Sequence, residues 1–98
     1  MSTIVVRYRP READADTNER LVEDVFADLA DTAPDGIRYT VWHLTDGTFL
    51  HVAELDGDDN PLPRSAAFQR FLAGIDDRCE PNDRPIAQSA IRLGSYPS

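Results

Sequence analysis

Apolar and polar residues follow changing periods along the chain, and these changes predict six elements of secondary structure. Residues 3–9 include Ile, Val, Val and Tyr, which place apolar side chains on both faces of a strand. This pattern predicts a central β-strand. In residues 11–35 apolar positions recur at helical spacing, which predicts an amphipathic helix. The apolar stripe of this helix consists of Leu21, Val22, Val25, Phe26 and Leu29.

Residues 36–55 are rich in β-favouring side chains and are interrupted by Asp46-Gly47, the strongest short-range hairpin signal. A two-residue turn at this dipeptide predicts that His43 pairs with Leu50 and that Trp42 pairs with His51. One face of the hairpin then carries His43, Leu50, Val41, Val52, Tyr39 and Glu54. The other face carries Leu44, Phe49, Trp42, His51, Thr40 and Ala53. Both predicted faces are largely apolar.

The second half of the chain predicts a loop, a helix and a final strand. Residues 56–63 are polar and rich in turn-forming residues, and they have no glycine and no downstream glutamate at the spacing of a calcium loop. Ser65 then predicts the N-cap of a helix. The core-facing stripe of this helix consists of Phe68, Phe71, Leu72 and Ile75. Residues 86–96 predict the last strand.

The order strand, helix, strand, strand, helix, strand predicts an α+β fold in a single domain, residues 1–98. Right-handed connections place both helices on one face of a four-stranded antiparallel sheet. The other face is left bare, although soluble monomers rarely expose a contiguous apolar patch beyond ~300–600 Å². We therefore expect a homodimer formed through this sheet face, which would bury on the order of 800 Å² per partner.

The chain is acidic, with 18 acidic and 10 basic residues and a formal net charge of -8. This charge opposes binding to nucleic acid and to anionic lipid surfaces. No apolar run approaches the ~18–20 residues that cross a bilayer. The first residues have neither the basic segment nor the cleavage site of a signal peptide. The sequence thus predicts a cytoplasmic protein with no nucleic-acid or membrane partner.

Few residues suit metal or covalent chemistry. Cys79 is the single cysteine, so it has no partner for an internal disulfide and no metal-ligand spacing. The predicted register sends His43 and His51 to opposite faces, where they cannot share an ion. The sequence contains no Gly-rich phosphate loop and no Gly-x-Ser-x-Gly elbow. We therefore expect neither a metal nor a cofactor.

Three segments of the chain resemble a known family. They are Ile4-Val5-Val6-Arg7-Tyr8, Ser65-Ala66-Ala67-Phe68-Gln69-Arg70-Phe71-Leu72 and Leu93-Gly94-Ser95-Tyr96. The chain is similar to the dimeric α/β-barrel superfamily, in particular to small proteins of the antibiotic-biosynthesis-monooxygenase type. This resemblance implies a ferredoxin-like protomer, a barrel formed by the sheets of two protomers, and a pocket between sheet and helices.

The resemblance implies more than one activity, because relatives of this type differ in what they do. Some oxidise phenolic or quinone-like aromatics with dioxygen and no cofactor, some degrade haem, and many have no demonstrated activity. The haem-degrading branch uses an Asn in the first strand, a Trp in the sheet and a His on the second helix. Only Trp42 corresponds here, so haem is not expected. The remaining expectation is a monooxygenase-like protein acting on a small aromatic molecule.

The predicted register makes Trp42 and His51 cross-strand neighbours, with Phe49 and Thr40 on the same face. The aromatic rings would hold a flat ligand while the imidazole of His51 removes a phenolic proton near neutral pH. We therefore predict Trp42 and His51 as catalytic residues. The predicted substrate-binding residues are Phe49, Thr40, Tyr8, Phe68 and Phe71.

A second interpretation of the same residues stays open. His51 would be a hydrogen-bonded histidine packed against Trp42 in the core or at the dimer interface. The protein would then be a non-catalytic dimeric module that binds a ligand or serves a structural role. An open, aromatic-lined cavity between sheet and helices would favour the enzyme, and a fully packed space would favour the module.

Overall fold

The computed structural model describes residues 1–97 and contains a four-stranded sheet with two α-helices. The elements are β1 (Ser2–Tyr8), α1 (Ala15–Thr32), β2 (Ile37–His43), β3 (Phe49–Leu55), α2 (Ala66–Ala73) and β4 (Ile86–Ala90). The strand order is β2-β3-β1-β4, and all neighbouring strands are antiparallel. This arrangement confirms the predicted α+β, ferredoxin-like βαββαβ fold, with β1 as an inner strand.

Both helices pack on the same face of the sheet, as predicted. Val22 and Val25 of α1 and Phe71 of α2 bury against Tyr8 and Phe49 of the sheet in one core. These side chains pack together because every second residue of a strand points to the side of the sheet that the apolar stripe of each helix covers. Within residues 1–97 no helix combines the length and the apolar character needed to cross a membrane.

The ends of α2 and β4 show how local chemistry sets the element bounds. The hydroxyl of Ser65 accepts a hydrogen bond from the backbone N–H of Phe68 over 3.1 Å, which confirms the predicted N-cap. The predicted last strand is too long, since β4 ends at Ala90. Ala90 pairs with Thr3, the second residue of β1, so at most one further residue could pair with this strand.

The predicted register of the hairpin is wrong by one residue. The backbone N–H of Gly47 donates to the carbonyl of Leu44 over 3.0 Å, and the N–H of Leu44 donates to the carbonyl of Thr48 over 2.7 Å. The loop therefore contains three residues rather than two, and Gly47 adopts a φ of 93° that favours glycine. Side chains point alternately to the two faces of a strand. A shift of one residue therefore exchanges the two faces of β2 relative to β3.

The observed register separates Trp42 from His51, which the predicted register pairs. Trp42 lies opposite Leu50, and His51 lies opposite Val41. Trp42 is 58% exposed on the face that the helices leave open, and His51 is buried on the face that they cover. Thr40 shares the open face with Trp42, because it is two residues away on the same strand.

Candidate functional site

A cavity of about 230 Å³ lies between the sheet and α2. Its apolar lining includes Ile4, Val6, Phe68, Phe71, Leu72 and Ile75. Tyr8, Tyr39 and His51 supply polar groups from the strands, and Asn60 and Asp76 also contribute to the lining. A cavity of ~150 Å³ already holds benzene in other proteins. This cavity therefore has room for a molecule of one or two aromatic rings.

His51 lies between two tyrosine hydroxyls on the sheet wall of the cavity. Its Nε2 atom is 2.8 Å from the hydroxyl of Tyr8, and its Nδ1 atom is 2.5 Å from the hydroxyl of Tyr39. Burial lowers the pKa of His51 to about 4, so the imidazole is neutral at pH 7. Burial also raises the pKa of both tyrosines, so both hydroxyls keep their protons.

Asn18 and Arg78 extend this hydrogen-bonded group into the core. The amide nitrogen of Asn18 donates to the hydroxyl of Tyr8 over 2.8 Å, and Nε of Arg78 donates to Oδ1 of Asn18 over 3.1 Å. Arg78 also donates to the backbone carbonyl of Phe71 over 2.7 Å. The guanidinium carbon of Arg78 lies 5.5 Å from the centre of the Phe71 ring. A continuous chain of hydrogen bonds thus runs from Arg78 to Tyr39.

The structure brings four of the predicted site residues together. Tyr8, Phe68 and Phe71 line the cavity together with His51. The rings of His51 and Phe71 stack with their centres 5.2 Å apart, which holds the imidazole against α2. The predicted substrate-binding role of these residues stays a prediction, but their placement around one cavity is consistent with it.

The other three predicted residues lie elsewhere. Phe49 is buried in the core, where its ring stacks on Tyr8 with centres 5.6 Å apart and on His43 with centres 4.0 Å apart. Trp42 and Thr40 are on the opposite face of the sheet from His51. The prediction that Trp42 and His51 share a face is therefore wrong, because the hairpin loop has one residue more than the two-residue turn assumed.

Three residues of the site are missing from the sequence-based prediction. Tyr39 is predicted on the wrong face because of the same register error. Asn18 carries a detectable signal, because it precedes Val22 by four residues and Val25 by seven, which puts a polar side chain on the apolar stripe of α1. Arg78 follows α2 in an irregular segment without periodicity, so no pattern marks it as buried.

The predicted separation of the histidines is also wrong. His43 pairs with Phe49, two residues before His51, so both imidazoles belong to the face that the helices cover. His43 lies at the exposed end of β2, and its ring stacks on Phe49. Within residues 1–97 no group of three or more His, Cys, Asp or Glu side chains is placed to hold a metal ion.

Comparisons of the sequence alone do not place the chain in a family. No family model matches it, and no curated protein matches it significantly.

Several solved structures, in contrast, share its fold over nearly the whole chain. Rv0793 from Mycobacterium tuberculosis is 15% identical to this chain. The match covers 97% of each of the two chains and has a TM-score of 0.72. An antibiotic biosynthesis monooxygenase is 12% identical, with 96% of this chain and 100% of that chain covered and a TM-score of 0.69. A Caulobacter crescentus protein provisionally given the same name is 14% identical, with 95% and 90% covered and a TM-score of 0.73. The chain therefore has the ferredoxin-like fold of antibiotic biosynthesis monooxygenase-like proteins.

Proposed function

We propose that the protein binds a small oxygen-bearing aromatic molecule in the cavity and oxidises it with dioxygen, without a cofactor. The observation that carries this proposal is the combination of an apolar, ring-sized cavity with the Tyr39 and His51 pair in its wall. Apolar pockets with a few convergent polar groups are the usual form of small-molecule sites. The names given to proteins of the same fold support the monooxygenase part of the proposal.

The chemistry assigns Tyr39 to the reacting molecule and His51 to the support of Tyr39. Both ring nitrogens of His51 already hydrogen-bond tyrosine hydroxyls, so a substrate does not reach a free nitrogen directly. A hydroxyl donor in an apolar cavity stabilises an oxyanion more strongly than water does. The substrate would therefore react as its anion, with its proton released to solvent.

An acidic aromatic ketone gives the simplest balanced reaction. Its anion, R₂CH⁻ with the charge shared with the ketone oxygen, transfers electrons to dioxygen and forms the peroxide R₂CHOO⁻. Transfer of the remaining carbon-bound proton to the departing oxygen, together with cleavage of the O–O bond, then gives R₂C=O and hydroxide. The carbon is oxidised by four electrons relative to R₂CH₂, and dioxygen supplies both the new carbonyl oxygen and the hydroxide.

Oxygen uptake with anthrone and with 1-naphthol tests this proposal. We expect protein-dependent uptake that is reduced at least tenfold in Tyr39→Phe and unchanged in Trp42→Phe, because Trp42 lies outside the cavity. Reactions without protein measure spontaneous oxidation. Uptake that equals the spontaneous rate for both compounds would overturn the enzymatic proposal.

A non-catalytic ligand-binding module is the second candidate. The specific observation in its favour is that neither nitrogen of His51 is free to act as a base toward the cavity. In this case the same two compounds bind, as seen by calorimetry or by chemical-shift changes, without any protein-dependent oxygen uptake. Binding and uptake measured together therefore separate the two candidates.

We further propose that the protein forms a homodimer through the open face of the sheet. Aligned apolar side chains cover the centre of this face: Trp42, Leu50, Val52, Val5 and Ile86. Trp42 and Ile86 are 58% and 54% exposed in a single chain, as expected for a face that needs a cover. A dimer mass by light scattering at micromolar concentration supports the proposal, and a monomer mass contradicts it.

The charges on the open face do not oppose this association. The overall charge is -8, but this face carries Arg7 opposite Leu50 and Arg38 opposite Glu54. Glu54 is also paired with Arg92 at 2.9 Å. Positive and negative side chains are thus mixed around the apolar centre, which is compatible with a twofold interface in which each charge can face its opposite.

A further inference from the structure

We propose that Arg78 and Asn18 are positioning residues that fix the direction of the hydrogen-bond chain, so that Tyr39 presents its hydroxyl proton to an acceptor oxygen on the ligand. This inference rests on the proposed function for the identity of the cavity as a ligand site. It adds the direction of the hydrogen bonds, the tautomer of His51 and two residues that act on the ligand from a distance.

The direction is set at Arg78, because a guanidinium can only donate hydrogen bonds. The atom of Asn18 that lies 3.1 Å from Nε of Arg78 must therefore be the amide oxygen. The amide nitrogen then faces the hydroxyl of Tyr8 at 2.8 Å and donates to it. This contact removes the usual ambiguity between the two ends of an amide side chain.

The hydroxyl proton of Tyr8 determines the tautomer of His51. The oxygen of Tyr8 accepts a hydrogen bond from Asn18, so its own proton needs a different acceptor. Nε2 of His51, at 2.8 Å, is the acceptor available to it within residues 1–97. Nε2 is therefore unprotonated. A neutral imidazole with an unprotonated Nε2 carries its proton on Nδ1.

The chain ends at the cavity. Nδ1–H of His51 donates to the hydroxyl oxygen of Tyr39 over 2.5 Å, which leaves the proton of Tyr39 without an acceptor among residues 1–97. Tyr39 lines the cavity, so a ligand oxygen can take that proton as a hydrogen bond. A ligand group that can only donate, such as an ammonium, would face another donor and is disfavoured.

The charge of Arg78 acts in the same direction. Arg78 is 8% exposed, and none of the ion pairs formed within residues 1–97 includes it. Its buried positive charge lies at the far end of the chain and polarises each successive donor toward the cavity. The arrangement therefore favours partial or full negative charge on the ligand oxygen.

Nitrogen-15 NMR of the imidazoles tests the direction in the ligand-free protein. The chain has two histidines, and His43→Gln leaves only His51 to observe. We expect a protonated Nδ1 and an unprotonated Nε2 in this variant. Asn18→Asp should reverse the tautomer, because a carboxylate keeps the bond from Arg78 but accepts the proton of Tyr8, so that Nε2–H must donate to Tyr8. A protonated Nε2 before the change, or an unchanged tautomer after it, would overturn the proposal.

Binding of 1-tetralone and tetralin tests the ligand class, because these bicyclic molecules differ by one carbonyl oxygen. We expect wild type to bind 1-tetralone about five to ten times more tightly than tetralin, the effect of one net hydrogen bond. Tyr39→Phe should remove this preference and leave the tetralin affinity unchanged. If neither compound binds, the proposed ligand site fails while the tautomer measurement still stands. If both bind equally to wild type, the donor role of Tyr39 is wrong even though the cavity is a ligand site.

Discussion

Trp42 and Leu50 lie side by side on the sheet face that the helices leave open. The next position across the sheet is Arg7, and Ile86 follows it on the edge strand. An exposed tryptophan at the end of such a row contributes little to the folding of a single chain. In a twofold interface it would be desolvated, and tryptophan is among the residues that most often dominate binding energy.

The substitution Trp42→Glu is therefore expected to separate the proposed dimer without unfolding the protomer. Loss of a buried interface tryptophan costs about 2 kcal/mol or more, which weakens the dimer about thirtyfold or more. Sedimentation equilibrium over a range of concentrations measures the change. Ala27→Glu, at an exposed position of α1, is the control with a similar added charge and should leave the dissociation constant as it is in wild type. Equal constants for wild type and Trp42→Glu would mean that this face is not the interface.

Lowering the pH is expected to destabilise the fold through His51. An unfolded histidine protonates near pH 6.5, whereas burial holds the pKa of folded His51 at about 4. Between these values the unfolded state binds a proton that the folded state does not. The stability that depends on a neutral His51 is thus fully present above about pH 6.5. It is lost as the pH falls toward 4, which lowers the free energy of unfolding by about 3 kcal/mol in all. Urea unfolding at stepped pH values measures it.

The substitution His51→Gln isolates this contribution from the titration of carboxylates. Glutamine does not titrate, so the free energy of unfolding of this variant should fall less steeply than that of wild type between pH 6.5 and pH 4. His43→Gln removes the exposed histidine and is the matched control. Parallel curves for wild type and His51→Gln would show that burial of the imidazole does not make this contribution.

The fold could be predicted from the sequence because it depends on the spacing of apolar residues in helices and strands. The site depends instead on the pairing register of β2 with β3. The dipeptide Asp46-Gly47 suits a two-residue turn and also a three-residue loop in which Gly47 has positive φ. Nothing in the flanking residues distinguishes the two, since both faces of the hairpin are apolar. The choice nonetheless decides which of Tyr39 and Trp42 shares a face with His51.

The rest of the site depends on contacts between residues far apart in the chain. Asn18 and Arg78 are 60 positions apart, and their hydrogen bond exists only after α1 and the segment after α2 pack on one sheet. A polar residue on an apolar stripe shows that Asn18 is unusual, but not what it binds. Such partners follow from tertiary packing rather than from local pattern, so the sequence marks Asn18 as unusual without revealing Arg78 as its partner.

Ala33→Gly is expected to stabilise the protein. Ala33 follows α1 with a φ of 46°, in the left-handed region, and its N–H donates to the carbonyl of Leu29 over 2.8 Å. This conformation costs a residue with a Cβ about 1–2 kcal/mol, and glycine avoids that cost but loses more entropy on folding. The net gain should be about 0.5–1 kcal/mol in urea unfolding. Gly36→Ala is the opposite control: Gly36 has a φ of 81°, so this change should destabilise by a similar amount. Destabilisation by Ala33→Gly would contradict the assigned helix end.

Ser65→Ala is expected to loosen α2 and, through it, the ligand cavity. The hydroxyl of Ser65 accepts the N–H of Phe68 over 3.1 Å and donates to the carboxylate of Asp28 on α1 over 2.5 Å. Loss of the cap costs about 1 kcal/mol, and loss of the bond to a charged group adds about 1 kcal/mol more. Asp28→Ala removes only the second contact, so a double-mutant cycle of unfolding free energies separates the two effects.

The cavity gives this cycle a functional readout. Phe68 and Phe71 of α2 line the cavity, so movement of the helix start alters the wall against which an aromatic ligand would pack. We expect 1-tetralone to bind Ser65→Ala more weakly than wild type, with Asp28→Ala intermediate. Ser89→Ala, on an exposed strand position, is the control for removal of a serine hydroxyl. Full affinity in Ser65→Ala together with a lowered stability would show that α2 keeps its position in the folded state, and that the contact with α1 stabilises the fold without shaping the site.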